Sequence, residues 1–289
     1  MKTISTKSII HIIIICLMST LSIISEAQGI KANASGYAPV NGLKIYYEEY
    51  GMGDPVVLLH GSFMNINVNF GAMIPELAKT HRVIALEMQG HGRTADINRA
   101  LSFTALADDV AGLMNYLKID SATIVGYSMG ATVALELALT HPEKVSKVIF
   151  ISSVYKSDGW IKPVRDAFAM MSVEMLSNTP LKEIYNSLAP DKLHWKTFVS
   201  NMIKFENIPY DLGIENIRKM KAPMLIIQGD NDGVDLAHTT ELYTACGGGI
   251  FGDMMPMPKS RLAILPATSH VSIMMQTNQL NALILPFIQ

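Results

Sequence analysis

Cysteine is nearly absent: the 289-residue sequence holds two, Cys16 and Cys246. Cys16 falls in an N-terminal segment expected to be removed, so what remains can form no intramolecular disulfide even in an oxidising compartment. Cys246 has no histidine pattern beside it and reads as a buried apolar filler. An excess of one charge is missing as well. With 23 basic and 25 acidic residues the net charge is −2, and no basic run stands out, which removes nucleic acid and acidic surfaces as partners. There is no H-E-x-x-H, no cysteine cluster and no pair of histidines at metal-ligand spacing, so neither a metal nor another cofactor is expected.

Long apolar runs are scarce too. The one from Ile9 to Met18, preceded by Lys2 and Lys7, fades through Ser19 and Thr20. It falls short of the roughly 20 residues that a spanning helix needs. Ser25-Glu26-Ala27 then places small residues at the two positions a signal peptidase reads. Residues 1–27 are therefore expected to be a secretory signal cut before Gln28, giving a periplasmic or secreted protein without a stable membrane anchor.

What the chain has is a dense alternation of short apolar runs and helical patterns, with 49% hydrophobic residues to fill a core. Gly36–Val40 and Leu43–Tyr50 flank Asn41-Gly42, a hairpin signal. Val56–Leu59 is a continuous apolar strand. A helix over about Phe70–Thr80, a strand at Arg82–Glu87, a helix at Phe103–Leu117 and a strand at Ala122–Tyr127 follow. Then come a helix to His141, stopped by Pro142, and a strand at Lys147–Ser152. From 154 to 221 the spacing turns helical, with Trp160, Trp195, Met170, Met171, Met175, Met202 and Met220 and no credible core strand. This stretch is expected to be a helical lid inserted into a core of residues 28–153 and 222–289. The sheet resumes at Met224–Gln228 and Arg261–Leu265, separated by a helix at Leu236–Tyr243 and a Gly247-Gly248-Gly249 loop read as flexible surface, and a final helix ends the chain. Strands alternating with helices imply a mostly parallel sheet covered on both faces.

The chemistry gathers around Gly126-Tyr127-Ser128-Met129-Gly130. A serine between two small residues, after an apolar strand and before a helix, is a nucleophile elbow: the tight turn lifts the hydroxyl off the sheet, and the following helix N-terminus faces the anion formed in acyl transfer. A serine hydroxyl needs a base, and the base needs an acid to orient it. The strand Met224–Gln228 runs out into Gly229-Asp230-Asn231-Asp232. Asp232 reaches farther, while Asp230 is expected to bond backbone within the turn. The last strand ends in Leu265-Pro266-Ala267-Thr268-Ser269-His270, which presents His270 on the neighbouring loop. The candidate catalytic set is therefore Ser128, Asp232 and His270. Ser62, in His60-Gly61-Ser62, and Met129 are the candidate oxyanion-hole donors through their backbone N–H groups, and the Ser62 hydroxyl adds a contact. His60 is expected to brace its loop, His81 and His141 to end helices as solvated caps, and His194 and His238 to take satisfied surface or packing roles. The Gln89–Thr94 turn is read as structure first and pocket wall second.

These motifs, H-G, Q-G-H-G-R-T-A-D, G-Y-S-M-G, G-D-N-D and the late S-H, resemble the α/β-hydrolase superfamily over essentially the whole mature chain. The resemblance falls in the branch that holds esterases, lactonases, haloperoxidase-like enzymes and carbon–carbon bond hydrolases. It implies an inserted helical lid and carries the Ser-Asp-His triad onto Ser128, Asp232 and His270. Many relatives have Arg where Gln89 stands, so an arginine contact is expected to be missing. The Gln89–Asp96 turn is also similar to that of bacterial macrolide-ring esterases. The expected activity is cleavage of a small-molecule carboxylic ester or lactone. The same triad also serves carbon–carbon hydrolases, perhydrolases and acyltransferases, and a ligand receptor that keeps the fold is a further reading.

Overall fold

A computed structural model describes residues 30–289; the expected signal segment, residues 1–27, lies outside them. Eight strands form one sheet in the order β1-β2-β4-β3-β5-β6-β7-β8. β1 (Ala34–Val40) and β2 (Leu43–Tyr50) pair antiparallel across Asn41-Gly42, whose φ values of 49° and 83° are the positive pair a tight hairpin turn demands. β2 also runs antiparallel to β4 (His81–Leu86). β4, β3 (Asp54–Leu59), β5 (Ala122–Tyr127), β6 (Val145–Ile151), β7 (Met224–Asn231) and β8 (Arg261–Ser269) are all parallel. The carboxyl ends of β3, β5, β7 and β8 therefore share one rim, where ligands bind in open sheets of this kind.

The central strands carry unbroken apolar runs such as Val56–Leu59 and Val148–Ile151 because both faces are covered. Val57, Leu59, Ile84, Leu86, Ile124 and Ile226 enter one core, shared with α3 (Phe103–Tyr116) and α4 (Met129–Thr140). Val56, Leu58, Val83, Ala85, Val125 and Ile227 enter the other, closed by α1 (Ile66–Phe70), α2 (Ile74–Leu77) and α11 (Thr277–Ile288). The two-residue period of a strand decides which side chain goes to which core. Each of the buried valine, leucine and isoleucine side chains among these is worth about 1.5–3 kcal/mol.

Three expected elements differ from those observed. The helix expected over Phe70–Thr80 is two short helices, α1 and α2, with Asn65 capping the first by accepting from Val68 N at 3.0 Å. Pro75 starts the second: it has no N–H to continue the hydrogen bonds of the first, and its fixed φ suits an opening turn. β8 runs four residues beyond Leu265 despite Pro266, because it is an edge strand and a missing donor costs little there. Its pairing with β7 slips between Gly229 and Asn231, which face Leu265 and Ser269 respectively. His81 opens β4, buried, rather than ending a helix.

Between β6 and β7 the chain forms α5 (Lys162–Met170), α6 (Val173–Ser177), α7 (Leu181–Leu188), α8 (Trp195–Glu206) and α9 (Ile214–Arg218), with no strand of the sheet. α8 is the segment's anchor: Trp195, Phe198, Val199, Met202 and Phe205 are all buried and join the first core. α10 (Leu236–Ala245) covers β7, and the triglycine loop that follows carries exposed Phe251 and Met254 at the sheet end away from the rim. Cys246, half-buried against the first core, has its thiol pushed up to about 11 by desolvation.

α4 lies so close to β3 and β5 that a Cβ on Gly130 would overlap the Leu59 carbonyl, and one on Gly126 would overlap Gly130 O. We expect Gly130→Ala to lower the unfolding free energy by about 1–3 kcal/mol, as overpacking against backbone does. Urea denaturation at constant m-value reads this directly.

Candidate functional site

Ser128 sits between β5 and α4 at φ 52°, ψ −122°, a conformation that L-residues rarely adopt. Such strain costs about 1–3 kcal/mol and persists only where the surroundings impose it. Here they do. Ser128 N donates to Ile151 O at 2.9 Å, extending the β5–β6 ladder by one residue, while the Ser128 carbonyl accepts from Ala131 N at 2.9 Å and so opens the helix. The side chain is squeezed out at the rim.

His270 follows β8, and its Nε2 lies 3.1 Å from Ser128 Oγ. Its Nδ1 lies 2.9 Å from Asp232 Oδ1. The three residues, far apart in the chain, thus form one continuous relay. Asp232 Oδ1 also accepts from Val234 N at 3.3 Å. Its Oδ2 is buried without a hydrogen-bond partner, as is the Ser152 hydroxyl, which lies close enough to favour the ionised carboxylate. Burial works against ionisation of Asp232, yet the His270 imidazole and these N–H and O–H dipoles outweigh it and hold the carboxyl below its ordinary value. The imidazole is held between two aromatic rings, Tyr127 at 5.3 Å and Trp160 at 5.4 Å between centroids. Tyr127 also donates its hydroxyl to the His270 carbonyl at 2.9 Å.

Asp230 does bond backbone, but not within its own turn: its carboxylate accepts from Ala267 N and Thr268 N of β8, each at 3.0 Å. Those contacts pin the slip between β7 and β8. Without the extra residues there, His270 would leave the sheet elsewhere.

The loop after β3 is set by two buried histidines. Met88 N donates to His60 Nε2, and Phe63 N donates to His91 Nε2, each at 3.1 Å. Accepting at Nε2 leaves the proton on Nδ1, which donates to Gly61 O (2.8 Å) in His60 and to Gln89 O (3.0 Å) in His91. Burial lowers their pKa values to about 3 and about 4, so both rings stay neutral and able to accept. Gly61 N is likewise occupied, donating to Asn69 Oδ1 at 2.8 Å. Among the described residues, the N–H groups of Ser62 and of Met129 donate to no protein acceptor. These are the two amides that the sequence nominates, and they flank the Ser128 turn. The bracing role expected of His60 is thus shared with His91, in the turn after β4.

The arginine contact expected to be missing comes from another position. Arg99 Nε donates to Gln89 Oε1 at 2.9 Å, and its Nη1 donates to Asp109 Oδ1 at 3.0 Å. Gln89 Nε2 in turn donates to Asp96 Oδ1 at 2.7 Å. The other oxygen of Asp96 receives His194 Nε2 and Asn201 Nδ2, each at 3.1 Å, which ties this turn to α8. His238 is buried, accepts from Tyr155 N at 3.2 Å and stacks on the Tyr155 ring, so it packs as expected. His141 ends α4 and pairs with Asp108 at 2.8 Å.

One residue at the rim has no sequence signal. Glu206, the last residue of α8, accepts a short hydrogen bond from the Ser62 hydroxyl. That hydroxyl therefore points to a carboxylate instead of adding the expected contact. Nothing in the helical spacing of α8 distinguishes Glu206 from a solvated acid; only the packing of α8 brings it to Ser62. No group of histidines, cysteines and acids able to hold a metal ion occurs among the described residues.

Comparison with known proteins agrees with this architecture. Residues 54–175 match the family model described as the alpha/beta hydrolase fold. The enol-lactonase of Burkholderia xenovorans LB400 superposes with a TM-score of 0.68 at 21% identity, over 87% of this chain and 98% of that one. The chain has the α/β-hydrolase fold. Among curated relatives, the 2-hydroxymuconate semialdehyde hydrolase of Pseudomonas sp. strain CF600 is 35% identical over 117 residues. That match covers 39% of this chain and 41% of the relative, so the chain spans under half the length of that protein. The dihydrolipoyllysine-residue acetyltransferase component of the acetoin cleaving system of Pseudomonas putida is 27% identical over 279 residues, 91% of this chain and 72% of the relative.

The elbow strain gives a stability test. Ser128→Gly and Ser128→Ala both delete the hydroxyl, but only glycine relaxes at φ 52°. Strain of about 1–3 kcal/mol, less the 0.5–1 kcal/mol that glycine loses in chain entropy, makes Ser128→Gly the more stable variant by about 1 kcal/mol. Thermal unfolding of the two proteins checks it. Asp232 gives a second test. Its depressed folded-state pKa stabilises the protein above the ordinary value of 3.8 and is lost as pH falls through the lower value. Asp232→Asn should therefore show a shallower loss of unfolding free energy between about pH 5 and pH 3.

Proposed function

We propose that the protein is an exported serine hydrolase that cleaves carboxylic esters or lactones, with Ser128 as nucleophile, His270 as general base and acid, and Asp232 as the acid that orients it. The observation that carries this reading is the unbroken hydrogen-bonded run from Asp232 through His270 to Ser128, ending beside two unengaged amides. His270 Nε2 takes the Ser128 proton as Oγ attacks the carbonyl carbon. The oxyanion settles between the Ser62 and Met129 amides, each worth about 2.7–4 kcal/mol to the transition state. His270 then returns the proton to the leaving alcohol. Water repeats the attack on the acyl-enzyme and frees the acid. Asp232 keeps the imidazole proton on Nδ1 and balances the imidazolium, a task its low pKa suits.

Support for ester or lactone substrates comes from the site chemistry and from likeness to an enol-lactonase. Residues 154–221 act as a lid in this reading. Met202 belongs to the core, whereas Met170 is exposed and Met171, Met175 and Met220 are half-buried, available to repack around a bulky apolar group. A macrolide ring is the finer substrate we propose, on the resemblance of the Gln89–Asp96 turn. Carbon–carbon cleavage is a second reading, favoured by the 35% identity to a 2-hydroxymuconate semialdehyde hydrolase. It would use the same relay.

A fluorophosphonate should label Ser128 in the purified protein, and Ser128→Ala should lower ester turnover by at least about a thousand-fold while leaving the melting temperature nearly unchanged. Turnover that survives in Ser128→Ala would remove the assignment. A panel of short esters, lactones, macrolides and a vinylogous β-diketone then separates the substrate classes; macrolides left intact on prolonged incubation would remove that part of the proposal.

A further inference from the structure

Glu206 is an expensive residue where it stands. It is half-buried at the carboxyl end of α8, where the helix dipole disfavours an anion. Desolvation raises its pKa, and the only opposing influences are the Ser62 hydroxyl and the His270 imidazole. Among the described residues no lysine or arginine pairs with it. One oxygen, Oε1, takes the Ser62 hydroxyl; Oε2 has no protein partner, yet it is not sealed in the interior. Ser62 follows Gly61, whose backbone packs on the nucleophile so closely that a Cβ there would lie 3.3 Å from the Ser128 Cβ, so the carboxylate stands at the rim beside Ser128. Aromatic rings stand at the same rim: Trp160 lies edge-on to His270 at 5.4 Å between centroids, and Tyr210 packs against the apolar cluster that contains Trp160. A carboxylate beside aromatic rings, without a cation of its own, is the recognition chemistry for an ammonium group, which gains ion pairing from one and cation–π attraction from the others.

We propose that Glu206 selects substrates carrying an ammonium group, so that the protein acts on cationic esters or lactones whose ammonium lies beside the scissile carbonyl. This rests on the serine-hydrolase reading of the same site and adds the charge of the substrate to it. The ammonium replaces the cation that the protein withholds from Glu206, and Ser62 links the two events: its N–H faces the oxyanion while its hydroxyl orients the carboxylate. Glu206 is thus a specificity-determining residue.

The test compares butyrylthiocholine with its uncharged carbon isostere, 3,3-dimethylbutyl thiobutyrate. Wild-type kcat/KM should favour the cation by at least about ten-fold, and Glu206→Gln should cut that ratio by about ten-fold or more, with Glu206→Asp recovering part of it. A ratio unchanged within two-fold in Glu206→Gln overturns the inference while ester hydrolysis stands. If neither ester is cleaved and fluorophosphonate fails to label Ser128, the hydrolase reading falls first. A readout free of turnover covers that case. Tetramethylammonium should bind Ser128→Ala, measured by calorimetry, and bind at least ten-fold more weakly once Glu206→Gln is added; equal binding by the two proteins overturns the inference. Near-ultraviolet circular dichroism confirms that each variant is folded.

Discussion

The close approach of α4 to the sheet is the constraint from which the rest of this structure follows. Gly130 lies against the Leu59 carbonyl and Gly126 against Gly130 itself, so at this point helix and strands touch backbone to backbone. Only a turn with an improbable backbone at its apex can join a strand to a helix lying that close, and Ser128 is that apex. The strain is sustained by what surrounds it: the β6 carbonyl that holds Ser128 N, the first helical turn that takes its carbonyl, and a central sheet buried on both faces. A hydroxyl forced outward by this geometry has few rotamers to lose when it meets a substrate. It also sits next to helix amides with no other acceptor.

Around that point the protein fixes each participant by neutral, buried contacts. His60 and His91 do for the loop after β3 what a strand neighbour would do, each accepting one amide and donating to one carbonyl. Because burial drives both pKa values well below neutrality, the clamp holds across the physiological range. By using the Phe63 and Met88 amides, with Asn69 using that of Gly61, the clamp leaves Ser62 N alone to face the rim. His270 is held differently. It rests on the slip between β7 and β8 that Asp230 pins, and it stands between Tyr127 and Trp160, one from the body and one from the helical insertion.

The polar network beyond the rim joins these parts. Arg99, Gln89 and Asp96 run from the body to His194 and Asn201, and so set the position of α8. α8 in turn carries Glu206 to Ser62. A turn that the sequence suggests as scaffold first thus helps fix which residues α8 brings to the rim. It also brings a guanidinium to Gln89 through space, from Arg99 ten residues on.

Much of this was legible along the chain. Central strands buried on both faces must read as unbroken apolar runs, and the hairpin at Asn41-Gly42 follows from which residues tolerate positive φ. A serine between two close-approach glycines announces its own turn, and acid and histidine follow at strand ends because parallel topology brings those ends together. What stayed hidden depends on how elements stack. The break at Pro75, the four extra residues of β8 and the shared clamp of His91 arise from neighbours distant in sequence. Glu206 is the clearest instance: a helix's period tells which face is apolar, and not which loop its last residue will meet. By itself the sequence determined the sheet, the elbow and the identities of the relay residues, since local sterics and hydrophobic period dictate them. Tertiary structure alone decided which amides stay free, where the imidazole stands and that a carboxylate from α8 meets Ser62, because those are distances between elements that no local pattern encodes.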